Sequence, residues 1–171
     1  MAADSGLART ATEIRRTLSK GELSAVGEVL GAAASVDDRP RIGGPGWEQL
    51  VREGRPDFTA VRTTDGHGYA QASRPDPARS WVVDYAVHPA HRQAEGQPAI
   101  DLLRAAIGVI ADAGGGPVSL WVSQPRAADE RVAAGAGLAA GRVLYQMRRP
   151  LPVEDEIAGR SEALTTRPFR P

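Results

Sequence analysis

The chain reads as an α/β protein, layered as α+β: a mixed, mainly antiparallel sheet flanked by helices. Three observations carry this reading. Two β-type runs in "DFTAVRTTDGHGYAQASRP" (57–75) flank Asp65-Gly66, a dipeptide suited to a primed hairpin turn. The nearly continuous apolar run "SWVVDYAVHP" (80–89) has the pattern of a central strand buried on both faces. After it, helix and strand patterns alternate, which implies layering of helices on a sheet.

In chain order, "EIRRTL" (13–18) reads as a short first strand. Ser19 followed by Glu22 is a capping box, and Leu23, Val26, Leu30 and Ala33 then share a helix face. "DDRPRIGGPG" (37–46) is a Gly/Pro loop, and "WEQLVREG" (47–54) a short helix closed by Gly54. The hairpin and the 80–89 strand follow. "AIDLLRAAIGVIADA" (99–113) carries apolar residues at 100, 103, 107 and 110, a helix stripe ended by three glycines. "VSLWV" (118–122) predicts a strand, "AADERVAAGAGL" (127–138) a weak helix, and "RVLYQMRRPL" (142–151) a last strand. The segment 152–164 is acidic and polar and reads as a linker.

Composition narrows the function. The chain has 171 residues, enough for one domain with a core, and its formal net charge of zero offers no basic field for nucleic acid or an anionic membrane. No run approaches the roughly 18 apolar residues of a membrane span. "MAADSGLARTATEIRR" lacks an apolar core of the secretory type, so a cytoplasmic setting is expected. The absence of cysteine removes disulfides, thiolate nucleophiles and cysteine-ligated metals. His67, His88 and His91 show no zinc spacing, so no metal is expected. Arg148-Arg149 is too short for a nucleic-acid footprint.

One stretch carries chemistry. In "VHPAHRQAEGQPAIDLL" (87–103) a strand gives way to a loop with one glycine and then to a helix start. Backbone N–H groups and a helix N-terminus in that arrangement hold phosphates. Gly96 lets the backbone approach closely, whereas Pro98 removes one N–H from a first helical turn that tolerates proline. His91 or Arg92 would add charge. The plainer reading is a strand-to-helix loop.

The order strand, helix, helix, three antiparallel-type strands, helix, strand, helix, strand, with this loop after the fourth strand, resembles the GCN5-related N-acetyltransferase (GNAT) superfamily and its acyl-CoA N-acyltransferase fold. The signature Gln/Arg-x-x-Gly-x-Gly/Ala falls on Gln93-Ala94-Glu95-Gly96-Gln97-Pro98, with Pro98 departing from it. "LYQMRRPLP", "AAASVDD" and "WEQL" further resemble the N-terminal half of the mycothiol synthase family, a tandem acetyltransferase. "LTTRPFRP" (164–171) resembles a strand opening a second such domain. The resemblance thus divides the chain into a leader (1–12), a GNAT domain (13–151), and a linker with the first strand of a truncated second repeat (152–171).

The resemblance implies acetyl-CoA as cosubstrate, no metal, and transfer of acetyl to a primary amine on a small acceptor, with a second GNAT domain or subunit as partner. It places the cofactor on Tyr85, Ala86 and Val87 by backbone pairing, and on Arg92, Gln93, Ala94, Glu95, Gly96, Gln97, Pro98 and Ala99. It makes Asp84 the proton-accepting carboxylate and Glu48 an acceptor contact. The residues alone allow Asp84 as a solvated strand-end acid and Glu48 as a first-turn acid favoured by the helix dipole. The tyrosine that the family uses on the helix after the fifth strand falls on Ala133 here. That absence supports the alternative of a non-catalytic GNAT domain, which binds acetyl-CoA or scaffolds a catalytic partner.

Overall fold

The computed structural model of the protein describes residues 9–38, 42, 47–74, 76, 80–93 and 95–145. Two compact units partition the chain, Met1–Ala140 and Gly141–Pro171. In the second, the described residues 141–145 form neither helix nor strand. The strand expected over 142–151 is therefore not present at 142–145, and its remainder, with the linker and the expected repeat strand at 152–171, lies outside the described residues. Most of the expected leader, residues 1–8, lies outside them as well.

The first unit contains β1 (Thr12–Arg15), α1 (Lys20–Asp37), α2 (Trp47–Glu53), β2 (Phe58–Thr63), β3 (Gly68–Ser73), β4 (Trp81–Val87), α3 (Ala99–Asp112), β5 (Val118–Leu120) and α4 (Ala127–Gly135). The strands form one sheet in the order β1-β2-β3-β4-β5. β1 to β4 pair antiparallel, and β5 joins β4 in parallel. This is the mixed, mainly antiparallel sheet that the sequence predicts.

Alternation along the strands sorts side chains onto two faces. Trp81, Val83, Tyr85 and Val87 of β4, with Ala70 and Ala72 of β3, meet Ile100, Leu102, Leu103, Ala106 and Ile110 of α3 and Val132 of α4. Tyr69 and Ala86 turn to the opposite face and meet Val26, Val29 and Ala33 of α1 and Val51 of α2. Helices therefore cover both faces, and β4 is buried between them.

Local chemistry sets the helix ends. The Ser19 hydroxyl accepts from the Glu22 N–H at 3.3 Å, and the Glu22 carboxylate accepts from the Ser19 N–H at 2.8 Å, which is the expected capping box. Gly54 follows α2 with φ +65°, a left-handed stop that a side chain would resist. The hairpin turn departs from expectation. The connection spans residues 64–67, and only Gly66 in it has positive φ, whereas with Asp65-Gly66 at its centre a type I′ turn needs positive φ at both residues and a type II′ turn needs it at Asp65. Asp65 instead accepts from the Thr63 hydroxyl at 2.6 Å and the His67 N–H at 3.0 Å, and these side-chain bonds shape a wider loop.

Candidate functional site

β4 outruns its neighbour. Its ladder with β5 ends at Val83↔Leu120, while its ladder with β3 continues to Gly68↔Val87. Among the described strands, residues 84 to 87 therefore pair on one side only. Parity decides which groups face the gap. The Trp81 N–H bonds Pro117 on the β5 side, and the His88 N–H bonds His67 on the β3 side. Odd-numbered residues thus direct their backbone toward the gap, so Tyr85 and Val87 present N–H and C=O there. Ala86 directs its backbone to β3.

A cavity of about 130 Å³ opens at this splay. Its walls include Tyr85 and Val87 of β4, Gln93, Gly96 and Gln97 of the loop, and Asp129 and Val132 of α4. Gly96 sits at φ +91°, and a Cβ there would meet Val132 Cγ2 at 2.8 Å, so the loop reaches α4 only because no side chain intervenes. Within the loop the Gly96 N–H bonds the Gln93 carbonyl at 3.0 Å, and the Gln93 N–H bonds the Gln97 carbonyl at 3.2 Å. Two of the expected phosphate donors are thus engaged by the loop itself. Pro98 is the buried N-cap of α3, one residue ahead of the first turn in which the sequence places it, and Ala99 begins the helix. Glu95 is exposed, and Ala94 lies outside the described residues. The side-chain oxygen of Gln97, by contrast, is buried at the cavity wall with no hydrogen-bond partner.

Arg92 does something other than wait for an anion. Its guanidinium grips the Asp37 carboxylate at 2.7 and 3.0 Å, and its Nε–H bonds the Val87 carbonyl at 3.1 Å. The Asp37 side chain is only 2% exposed, so its charge needs this partner. The pair ties the end of α1 to the end of β4. Across the cavity the Tyr85 hydroxyl donates to Asp129 at 3.3 Å, and the Arg126 N–H bonds the same carboxylate at 3.0 Å, capping α4.

Asp84 occupies the opposite sheet face, level with Gln71. Gln71 Nε2 donates to Asp84 at 3.2 Å, and its oxygen accepts from Trp47 Nε1 at 2.9 Å and the Tyr69 hydroxyl at 3.1 Å. Burial raises the Asp84 carboxyl above the ordinary carboxylate range, opposed by the Gln71 hydrogen bond. It also raises the Tyr69 phenol. Asp84 is therefore not the solvated strand-end acid that the residues alone allow: it lies in the middle of β4, half-buried in a polar network. Glu48 is exposed and pairs with Arg52 at 3.1 Å one turn along α2, while its neighbour Trp47 is the α2 residue that reaches the network.

Sequence reasoning missed Gln71, Asp37, Arg126 and Asp129. Gln71 had a signal: a lone amide within an apolar strand, on the face shared with Tyr69. The histidines, separated in sequence, come together: His67 and His91 stack with centroids 3.5 Å apart, and His88 lies 5.6 Å from His91. Stacked rings direct their lone pairs into parallel planes that cannot both contain one ion. Among the described residues no group of His, Asp or Glu is arranged to hold a metal. No described helix is long and apolar enough to cross a membrane. Ala133 lies on α4 beside Val132 and carries no hydroxyl.

No protein-family model matches the chain. It is 34% identical over 114 residues to a mycothiol acetyltransferase of Salinispora arenicola, covering 65% of this chain and 35% of that protein. It is 33% identical over 143 residues to a mycothiol acetyltransferase of Streptomyces avermitilis, covering 81% of this chain and 44% of that protein. The chain thus spans less than half the length of either relative. Among solved structures, AAC(6')-Iy bound to the bisubstrate analogue CoA-S-monomethyl-acetylneamine superposes with a TM-score of 0.55 at 18% identity, covering 82% of this chain and all of that one. That likeness is one of fold.

Proposed function

Starting from a chain that belongs to the GCN5-related N-acetyltransferase superfamily and resembles part of the mycothiol acetyltransferases, we propose that it is an acetyl-CoA-dependent N-acetyltransferase domain acting on a primary amine. The observation that carries this reading is the one-sided edge of β4 at Tyr85 and Val87, opening over a glycine loop and the start of α3. An amide-bearing arm can pair with such an edge as an added strand does. The fit extends to side chains: Gly96 leaves the loop without bulk, and the unpartnered Gln97 oxygen would accept an N–H. The N–H groups of Gln97 and Ala99 at the head of α3 would face a pyrophosphate.

Acetyl-CoA supplies the acyl group as an activated thioester. The chain's own part is to orient it and manage protons. Asp84 would accept the proton lost by the amine as its nitrogen bonds the acyl carbon, directly or through one water. Burial that raises its basicity suits that task. Gln71 holds the carboxylate, and Trp47 and Tyr69 hold Gln71. Ala133 offers no hydroxyl to protonate the departing sulfur, so solvent would serve. This same feature favours the second reading, a domain that binds acetyl-CoA while a partner domain catalyses. The cysteinyl amine of a mycothiol precursor is the acceptor the resemblance suggests. Glu48 and Arg52 at the exposed end of α2 would meet it. The cysteine-free chain fits a cytoplasmic setting, and a second GNAT domain or subunit would supply what the relatives' greater length contains.

Calorimetry with acetyl-CoA tests the cradle, and turnover of an amine panel with Asp84→Asn tests the chemistry. Binding without turnover selects the second reading. No binding at millimolar cofactor rejects both.

A further inference from the structure

We propose that Arg126, and not Arg92, is the side chain that takes a phosphate group of acetyl-CoA, while Arg92 with Asp37 acts as a positioning pair for the Val87 carbonyl. The assignment rests on the cofactor reading above and follows from the charges around the cavity. Two arginines and two aspartates line it: Arg92, Arg126, Asp37 and Asp129. Arg92 is held on three sides by its bidentate bonds to Asp37 and its bond to Val87. Turning it onto a phosphate would leave the Asp37 carboxylate buried and uncompensated. Asp129 is taken up by the Tyr85 hydroxyl and the Arg126 backbone N–H. The Arg126 guanidinium is exposed and makes no hydrogen bond or ion pair among the described residues. It also heads α4 and lines the cavity together with Gln93, Gly96 and Gln97 of the loop. An exposed cation outside any ion pair of the described residues suits capture of an anion, since its association loses no internal pair.

Calorimetry on the full chain with acetyl-CoA and with its 3′-dephospho form provides the test, alongside thermal melting. Arg126→Ala should weaken acetyl-CoA binding about tenfold or more and flatten its salt dependence, with Tm unchanged. Arg126→Lys should lose less. Arg104→Ala removes the same charge from the exposed side of α3 and should bind as the parent does. Loss confined to acetyl-CoA identifies the 3′-phosphate, and equal loss for both ligands identifies the pyrophosphate. Either supports the assignment. Asp37→Asn should lower Tm and, by freeing Arg92, weaken both ligands alike. An Arg126→Ala affinity equal to the parent's, or an equal loss in Arg104→Ala, overturns the proposal. If the parent chain binds no acetyl-CoA, the cofactor reading fails first and this assignment with it.

Discussion

At the scale of single residues, Asp84 is where stability and the proposed activity pull apart. Its carboxyl is raised by burial, so the folded state prefers the proton more than the unfolded state does. Such a group contributes stability that is fully present below its unfolded value, about pH 3.9, and is lost as pH rises through the higher folded value. Asp84→Asn should therefore raise Tm at pH 7, and the gain should vanish in melts run near pH 3. The same change should reduce turnover about 10²–10⁴-fold, the usual contribution of a general base, and remove the ascending acid limb of the rate profile. Retained turnover would remove Asp84 from the chemistry. Gly96 poses the opposite problem. Gly96→Ala forces a Cβ to within 2.8 Å of Val132 at a left-handed φ. It should cost about 1–3 kcal/mol in urea melts and weaken acetyl-CoA binding at the same time. Substitution at Gly66, also left-handed but with open space around it, should strain the turn and leave binding alone.

Elements show which interactions are local. α1 starts at a capping box whose partners lie three residues apart. Ser19→Ala should cost about 1 kcal/mol by chemical denaturation and leave cofactor affinity unchanged, because the cap lies at the far end of α1 from Asp37. The other end of α1 is different in kind. Asp37 meets Arg92 across 55 positions, and Asp84 meets Gln71 across 13. Spacing rules for helices and hairpins reach caps, stripes and turns, so they recover α1, α2, α3 and the hairpin strands. They do not reach these pairs. The hairpin turn shows the limit even nearby: Asp65-Gly66 is the dipeptide of a primed turn, yet the Thr63 hydroxyl and His67 N–H hold Asp65 in a wider loop.

Over the whole first unit, β3 and β4 lie inside the sheet with a packed layer on each face, while β1 and β5 are its edges among the described strands. Hydrogen exchange should therefore be slowest for β3 and the paired amides of β4, and fastest for β1. Within β4, the Tyr85 and Val87 amides should exchange faster than those of Asp84 and Ala86, since they face the gap, and acetyl-CoA should protect them. Equal protection along β4 without ligand would mean that the splay closes in solution. The sequence by itself determined the strand and helix order as far as α4, the Ser19 cap and the Gly54 stop, the two-sided burial of β4 and the strand-to-helix loop before α3. All of these follow from neighbours a few residues apart or from the period of apolar side chains. The tertiary structure alone decided that β5 stops short of β4, that Arg92 is paired with Asp37 while Arg126 has no ion pair among the described residues, and that Gln71 holds Asp84 in a half-buried network. Each of those depends on which distant segments meet, and a residue's charge or basicity is set by the partners and the burial it finds there.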